Sequence, residues 1–245
     1  MNFVKENNQA KMGGLLNWKK MLGQKWFDIE FIVTLILLAS ILYSLTRFLD
    51  FVEIRRGIVL NDPVLSLYAP VDLNWLIFCL IYLSLFLALI NLAREPQGLM
   101  LAIQSYVVMI AVRITAMYLI PLDPPQKMIP LNDPFVQFFG TGKLLLKDLF
   151  FSGHTATIFL LYLVTKRKQL RNLFLVFTIA VGIALLLQHV HYSIDVLAAP
   201  FFAYGSFRIT YLFRKNFINQ IESYPTNNYV QPVRKQNFLK KIRSS

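Results

Sequence analysis

All three histidines of the chain fall in two short strings: Ser152-Gly153-His154-Thr155, and His189-Val190-His191-Tyr192-Ser193-Ile194-Asp195. His191 and Asp195 are spaced i,i+4, so on a helix their side chains share a face. A carboxylate placed there accepts the proton of one imidazole nitrogen and fixes the tautomer, leaving the other nitrogen free to attack or to take a proton. His154 lies where a helix would start. Ser152 is a capping residue type, Gly153 permits close backbone approach, and a helix start favours an anion. Two imidazoles, a buried carboxylate and an anion-binding helix start are the parts that phosphoryl transfer through a covalent phosphohistidine requires. One histidine attacks phosphorus and the other protonates the departing alkoxide. Plainer readings stand beside this one. His154 alone serves equally well as a hydrogen-bonded anchor near a membrane interface. Asp195 needs a partner in any case, because an unpaired buried carboxylate is costly. His189 and His191, two apart, point to nearly opposite faces of a helix and lack a companion Cys or carboxylate cluster. That makes a metal site a poor reading and His189 a loop residue or a support for the site.

The elements that must position these strings are apolar. Of 245 residues, 56% are hydrophobic and only 16% charged, with a mean hydropathy of +0.51. A soluble domain carries about a quarter charged residues, and a disordered chain is poor in Leu, Ile, Val and Phe, so both classes are excluded. The net charge of +12 lies between the apolar runs and not on a polar face, which removes nucleic acid as a partner. The single cysteine, Cys79, sits inside an apolar run and offers neither a disulfide framework nor a cysteine metal site. Six runs approach the ~20 residues that a helix needs to cross a bilayer. They are Ile29 to Phe48, Leu73 to Leu92, Leu99 to Ile120, Leu149 to Thr165, Leu173 to Gln188 and Tyr192 to Phe213. None shows the period-2 alternation of a barrel strand, so the expected fold is all-α, a polytopic bundle of six transmembrane helices. Residues 1–28 form a basic N-terminal tail, 29–213 the membrane domain and 214–245 a basic C-terminal tail. The polar start and the long first run do not resemble a cleaved signal peptide.

Charge gives each loop a side. Lys5, Lys11, Lys19, Lys20 and Lys25, then Arg94, then Lys166, Arg167, Lys168 and Arg171, and the C-terminal tail share one side. The other side mixes Arg55, Arg56, Lys127, Lys143 and Lys147 with Glu53, Asp62, Asp72, Asp123, Asp133 and Asp148. The positive-inside rule makes the first side cytoplasmic and puts both histidine strings at the non-cytoplasmic face. Leu15, Trp18, Leu22 and Trp26 recur at helical spacing beside lysines. They form either a short helix on the inner leaflet or a solvated tail. Arg113, about two turns inside the third run, is the expected partner of a phosphate, or else pairs with a carboxylate such as Asp123; Lys147 is a second cation. Asp148, Tyr192 and the long loop from Pro121 to Lys147 are expected around the pocket.

Asp148-Leu149-Phe150-Phe151-Ser152-Gly153-His154-Thr155, followed by His191-Tyr192-Ser193-Ile194-Asp195-Val196, resembles the sphingomyelin synthase branch of the type 2 phosphatidic acid phosphatase superfamily. Arg113-Ile114-Thr115-Ala116-Met117-Tyr118 with Pro121 is similar to that branch's Arg and Thr-Met-Tyr segment, and the resemblance covers about Arg113 to Phe213. It implies a catalytic triad of His154, His191 and Asp195. His191 would take the phosphoryl headgroup, His154 would protonate the diacylglycerol oxygen and Asp195 would orient His191. Ser152, Gly153, Arg113, Asp148, Tyr192 and Lys147 would bind substrate, and neither metal nor cofactor would be needed. The implied partners are a membrane phospholipid and a lipid alcohol of the ceramide type. Where the phosphatase branch has a Ser-Arg before its last histidine, this chain has Leu185, and it has no Arg-Pro pair. Where the synthases have Cys-Gly before the aspartate, it has Leu146 and Lys147. The rival readings are a lipid phosphate phosphatase with water as acceptor and a non-catalytic membrane scaffold.

Overall fold

A computed structural model describes residues 18–19, 21–132 and 145–223, with side chains described as far as 217. Lys5, Lys11, Leu15 and Lys20, the loop stretch 133–144 with Asp133 and Lys143, and the tail beyond 223 lie outside the described residues. Among the described residues the chain forms six α-helices: α1 (Lys25–Ile54), α2 (Asn74–Leu92), α3 (Pro96–Leu119), α4 (Gly153–Val164), α5 (Lys168–Leu187) and α6 (Ser193–Ser223). A short 3-10 turn at Leu65–Leu67 and one isolated β-bridge, Ile58 to Leu122, complete the regular structure there. One compact unit spans Met1–Tyr211; of the second, Leu212–Ser245, the described part is helical through Ser223.

Five helices are long and apolar enough to cross a membrane: α1, α2, α3, α5 and the Ser193–Phe217 stretch of α6. The chain is an integral membrane protein. Ile29, Ile32, Val33 and Ile36 on α1, and Leu197, Phe201 and Tyr204 on α6, leave large apolar side chains exposed, as lipid contact requires. The interior is filled by Ile77 and Phe78 of α2, Met109 of α3, Ile158 of α4 and Phe174, Val181 and Leu185 of α5. Two buried hydroxyls bond within their own helices, Ser84 Oγ donating to Leu80 O at 2.6 Å and Thr178 Oγ1 to Phe174 O at 2.8 Å.

The fourth expected span, Leu149 to Thr165, is shorter as a helix. α4 has 12 residues, about 18 Å of rise against the ~30 Å of a hydrocarbon core. The chain before it stays extended because its polar groups are held from outside: Phe151 O accepts Arg113 Nε at 2.8 Å, and Asp148 pairs with the same guanidinium. Other helices outrun their apolar runs, α3 starting at Pro96 ahead of Leu99 and α5 at Lys168 ahead of Leu173. α1 continues past Phe48 to Ile54 and α6 past Phe213 to Ser223, since helical geometry needs no apolar residue and the first breaker after Phe213 is Pro225.

Polar contacts mark two ends of the bundle. At one end Arg55 donates to Met117 O (2.7 Å) and Tyr118 O (2.9 Å), tying the C-terminus of α1 to that of α3. There too Leu73 N donates to Gln188 Oε1 (2.9 Å), Val71 N to Leu187 O (2.9 Å) and Ile129 N to Gln188 O (3.2 Å). At the other end Lys166 pairs with Glu95, and Trp18 Nε1 donates to Ala93 O at 2.6 Å. The helices therefore alternate in direction, and the starts of α4 and α6 share the first end.

Candidate active site

α4 begins where Ser152 caps it: Ser152 Oγ accepts from Thr155 N at 3.4 Å and lies 3.1 Å from Thr155 Oγ1. The N–H groups of its first turn point out of the helix beside His154, which is half-buried with its ring edge-on to Phe78 at 6.3 Å. Across from it, α6 starts at Ser193. The backbone joins the two starts, Ser152 N donating to Asp195 O at 3.1 Å. Thus the residue that caps the helix of His154 is bonded to the residue that faces His191.

His191 and Asp195 are buried, at 1% and 0% exposure, with Nδ1 of the imidazole 3.4 Å from Asp195 Oδ2. Oδ2 also accepts from Tyr192 N at 3.0 Å, while Oδ1 has no hydrogen-bond partner among the described residues. Because Nδ1 faces the carboxylate, Nε2 is the nitrogen left for chemistry.

Arg113 comes from α3 with 3% exposure, on the interior and not on lipid. Its Nε donates to Phe151 O at 2.8 Å and its Nη2 lies 2.7 Å from Asp148 Oδ1, so the carboxylate it pairs with is Asp148 and not Asp123. The guanidinium lies flat against Gly153: a Cβ on that residue would stand 2.8 Å from Arg113 Cζ. A side chain there would push the guanidinium off Phe151 O and Asp148, and the glycine is what lets the cation reach the start of α4.

Lys147 and Tyr192 have other neighbours. Lys147 Nζ lies 2.7 Å from Asp123 Oδ1 and donates to Arg55 O at 2.7 Å, while its backbone N donates to Glu53 Oε1 at 2.8 Å. Its ammonium therefore fastens the extended segment before α4 to the ends of α1 and α3. The Asp123 carboxyl is held below its ordinary value by the hydrogen bond and charge of Lys147, against the upward push of burial. Tyr192, fully buried, is a strut whose hydroxyl donates to Asp123 O (2.8 Å) and accepts from Leu60 N (3.2 Å).

Two further residues shape this end without having been singled out in the sequence. Gln188, buried, accepts from Leu73 N and donates from Nε2 to Asn74 Oδ1 and Ile129 O, both at 3.2 Å. The signal was an amide at the end of an apolar run. Asp62 accepts from Ser193 N at 2.6 Å and Ser193 Oγ at 3.1 Å, and no local pattern foretells that pairing. His189 packs edge-on to Tyr68 at 5.2 Å, with its pKa lowered by burial and by Lys127, against an opposing effect of Asp62. Among the described residues no group of three or more His, Cys, Asp or Glu side chains is arranged to hold a metal ion.

Residues 147–212 match the family described as PAP2 superfamily C-terminal. The matched stretch contains both histidine strings and α4 to the middle of α6, and it supports the PAP2 superfamily, whose members are generally phosphatases. It points to phosphatase or phosphotransferase chemistry on lipid phosphates. No curated protein matches the chain.

Proposed function

We propose that this chain is a membrane phosphotransferase that moves a phosphoryl headgroup from a phospholipid to a lipid alcohol of the ceramide type through a phosphohistidine. The observation that carries the reading is the buried His191–Asp195 contact at 3.4 Å, bonded through Asp195 O to the N-cap of the helix that bears His154. In the first step His191 Nε2 attacks phosphorus and the bond from phosphorus to the diacylglycerol oxygen breaks. His154 gives its proton to that oxygen, and Asp195 stabilises the imidazolium formed at His191. In the second step the acceptor hydroxyl passes its proton to His154 and attacks phosphorus, the P–N bond breaks, and the headgroup leaves on the acceptor. Arg113 and the first-turn N–H groups of α4 face the charge that develops on the phosphoryl oxygens, with Ser152 and Gly153 shaping that cradle. Asp148 holds the guanidinium from the other side, Tyr192 fixes the backbone of the His191 string, and Lys147 acts on substrate through the placement of residues 145–152.

The same site with water as acceptor would be a phosphatase, the reading that the PAP2 match favours. In this reading α4 and its extended lead-in complete a sixth crossing, with the termini cytoplasmic and the site under the outer leaflet. The support is the alternation of the helices and the cluster of Lys166, Arg167, Lys168 and Arg171 at the far end. Proteoliposomes given headgroup-labelled phospholipid, with and without ceramide or diacylglycerol, test the reading. A new labelled phospholipid that requires the acceptor is expected. Labelled phospho-headgroup released into water without acceptor makes the enzyme a hydrolase. No turnover from folded protein, or turnover that survives His191→Ala, overturns the reading.

A further inference from the structure

The connection between α1 and α2 has no part in the chemistry above, yet it grips the nucleophile's string at three places. Tyr68 packs on His189, Leu60 N donates to the Tyr192 hydroxyl, and Asp62 receives Ser193. The third contact differs in kind from the others. A helix start is ordinarily capped by the residue just before its first turn, whereas α6 is capped by Asp62, 131 positions away in the chain, through both carboxylate oxygens. Asp62 is itself oriented beforehand: Oδ1 also accepts from Val64 N at 2.9 Å and Leu65 N at 3.4 Å, a local turn that aims the carboxylate. Burial pushes its pKa up, but the hydrogen bonds from Ser193, Val64 and Leu65 outweigh this and hold the group ionised. Ser193, the first residue of α6, is midway between His191 in the lead-in and Asp195 in the first turn, so Asp62 closes the junction that brings those two side chains together.

We infer that Asp62 is a positioning residue, which sets the His191–Asp195 geometry by capping α6 from the α1–α2 connection. The inference rests on the function proposed above. Losing the cap loosens the first turn of α6, and a small misplacement of a nucleophile lowers turnover without weakening substrate binding.

The test uses the full chain in proteoliposomes with headgroup-labelled phospholipid, comparing wild type, Asp62→Ala, Asp62→Asn and Ser193→Ala. Amide hydrogen exchange of residues 190–196 and thermal unfolding are measured on the same samples. Asp62→Ala is expected to lower kcat by ~10- to 100-fold with KM within about twofold. It should also speed exchange in that segment by ~10-fold. Asp62→Asn, which keeps an oxygen for Ser193 N, should recover kcat to within about fivefold of wild type, and Ser193→Ala, which removes only the hydroxyl contact, should lie between. Unchanged exchange and kcat in Asp62→Ala overturn the inference, as does a loss that Asp62→Asn does not relieve. If Asp62→Ala does not fold, Asp62→Asn against the Asp62→Asn/Ser193→Ala pair decides, because the inference requires the second change to add to the first. Faster exchange in Asp62→Ala, with a wild type that shows no turnover at all, would leave the cap standing and sink the proposed function instead.

Discussion

The two ends of the bundle each hold an ion pair between distant stretches of chain, in opposite surroundings. Arg113 and Asp148 are 4% and 23% exposed, with the cation also bonded to Phe151 O and pressed against Gly153. Lys166 and Glu95 are 74% and 43% exposed, and the pair is free to dissolve into water. A buried guanidinium cannot lose its partners cheaply, whereas an exposed pair is worth about 0–1 kcal/mol. The difference extends beyond the pairs. At the histidine end, part-buried polar groups from five segments bond one another across long stretches of chain, whereas the far end is held by a tryptophan bond and a solvated lysine. Cross-chain bonds of this kind hold the loops at that end to one another, and the proposed in-line attack on phosphorus depends on such placement.

The sharpest way to break the contrast is at Gly153. Gly153→Ala drives a methyl into the Arg113 guanidinium, which can swing away only by leaving Phe151 O and Asp148. Turnover should fall ~100-fold while the chain still folds, and a steady-state assay paired with a melting curve checks both. Unchanged turnover would show that the cation's seat is not required.

Tyr192→Phe removes a buried hydroxyl that joins two loops, and should lower stability by about 1–3 kcal/mol, as read from denaturant unfolding in detergent. Acid acts on the same end. Asp62 and Asp123 have folded pKa values below the ordinary 3.8, so the stability they add is complete above that value and is lost as pH falls through the lowered values. Buried His189, with its pKa lowered from 6.5, contributes in the same direction: below that pH the unfolded chain takes up the proton more readily than the folded one. Hydrogen exchange of the 55–73 connection should therefore rise on acidification before that of the 93–96 turn. The smallest effect is expected at the far end, where Lys166→Ala should change stability by less than ~0.5 kcal/mol and leave turnover unaltered.

The sequence exposed the part of this design that local spacing encodes. His191 and Asp195 are one helical turn apart, Ser152 is a capping type directly before a glycine, and Arg113 is an ionisable residue in an apolar run, so each announced itself. Partners far along the chain had no such voice. Nothing near Asp62 mentions Ser193, nothing near Arg113 prefers Asp148 to Asp123, and Lys147 reads as a spare cation until Asp123 and Arg55 O are seen around it. The start of α4 was misjudged for the same reason. Leu149, Phe150 and Phe151 are apolar, but the Phe151 carbonyl bonds Arg113 and not a helical N–H, and hydropathy does not register that.

The central claim is that His191 carries the phosphoryl group between donor and acceptor. Brief incubation of the wild type with phospholipid labelled in its phosphate and no acceptor lipid, followed by alkaline-stable digestion and peptide mapping, tests it most directly. The account predicts acid-labile label on the peptide containing His191, absent when His191 is replaced by Ala. Label on another residue, or turnover by the wild type with no label on protein at any time, would contradict it.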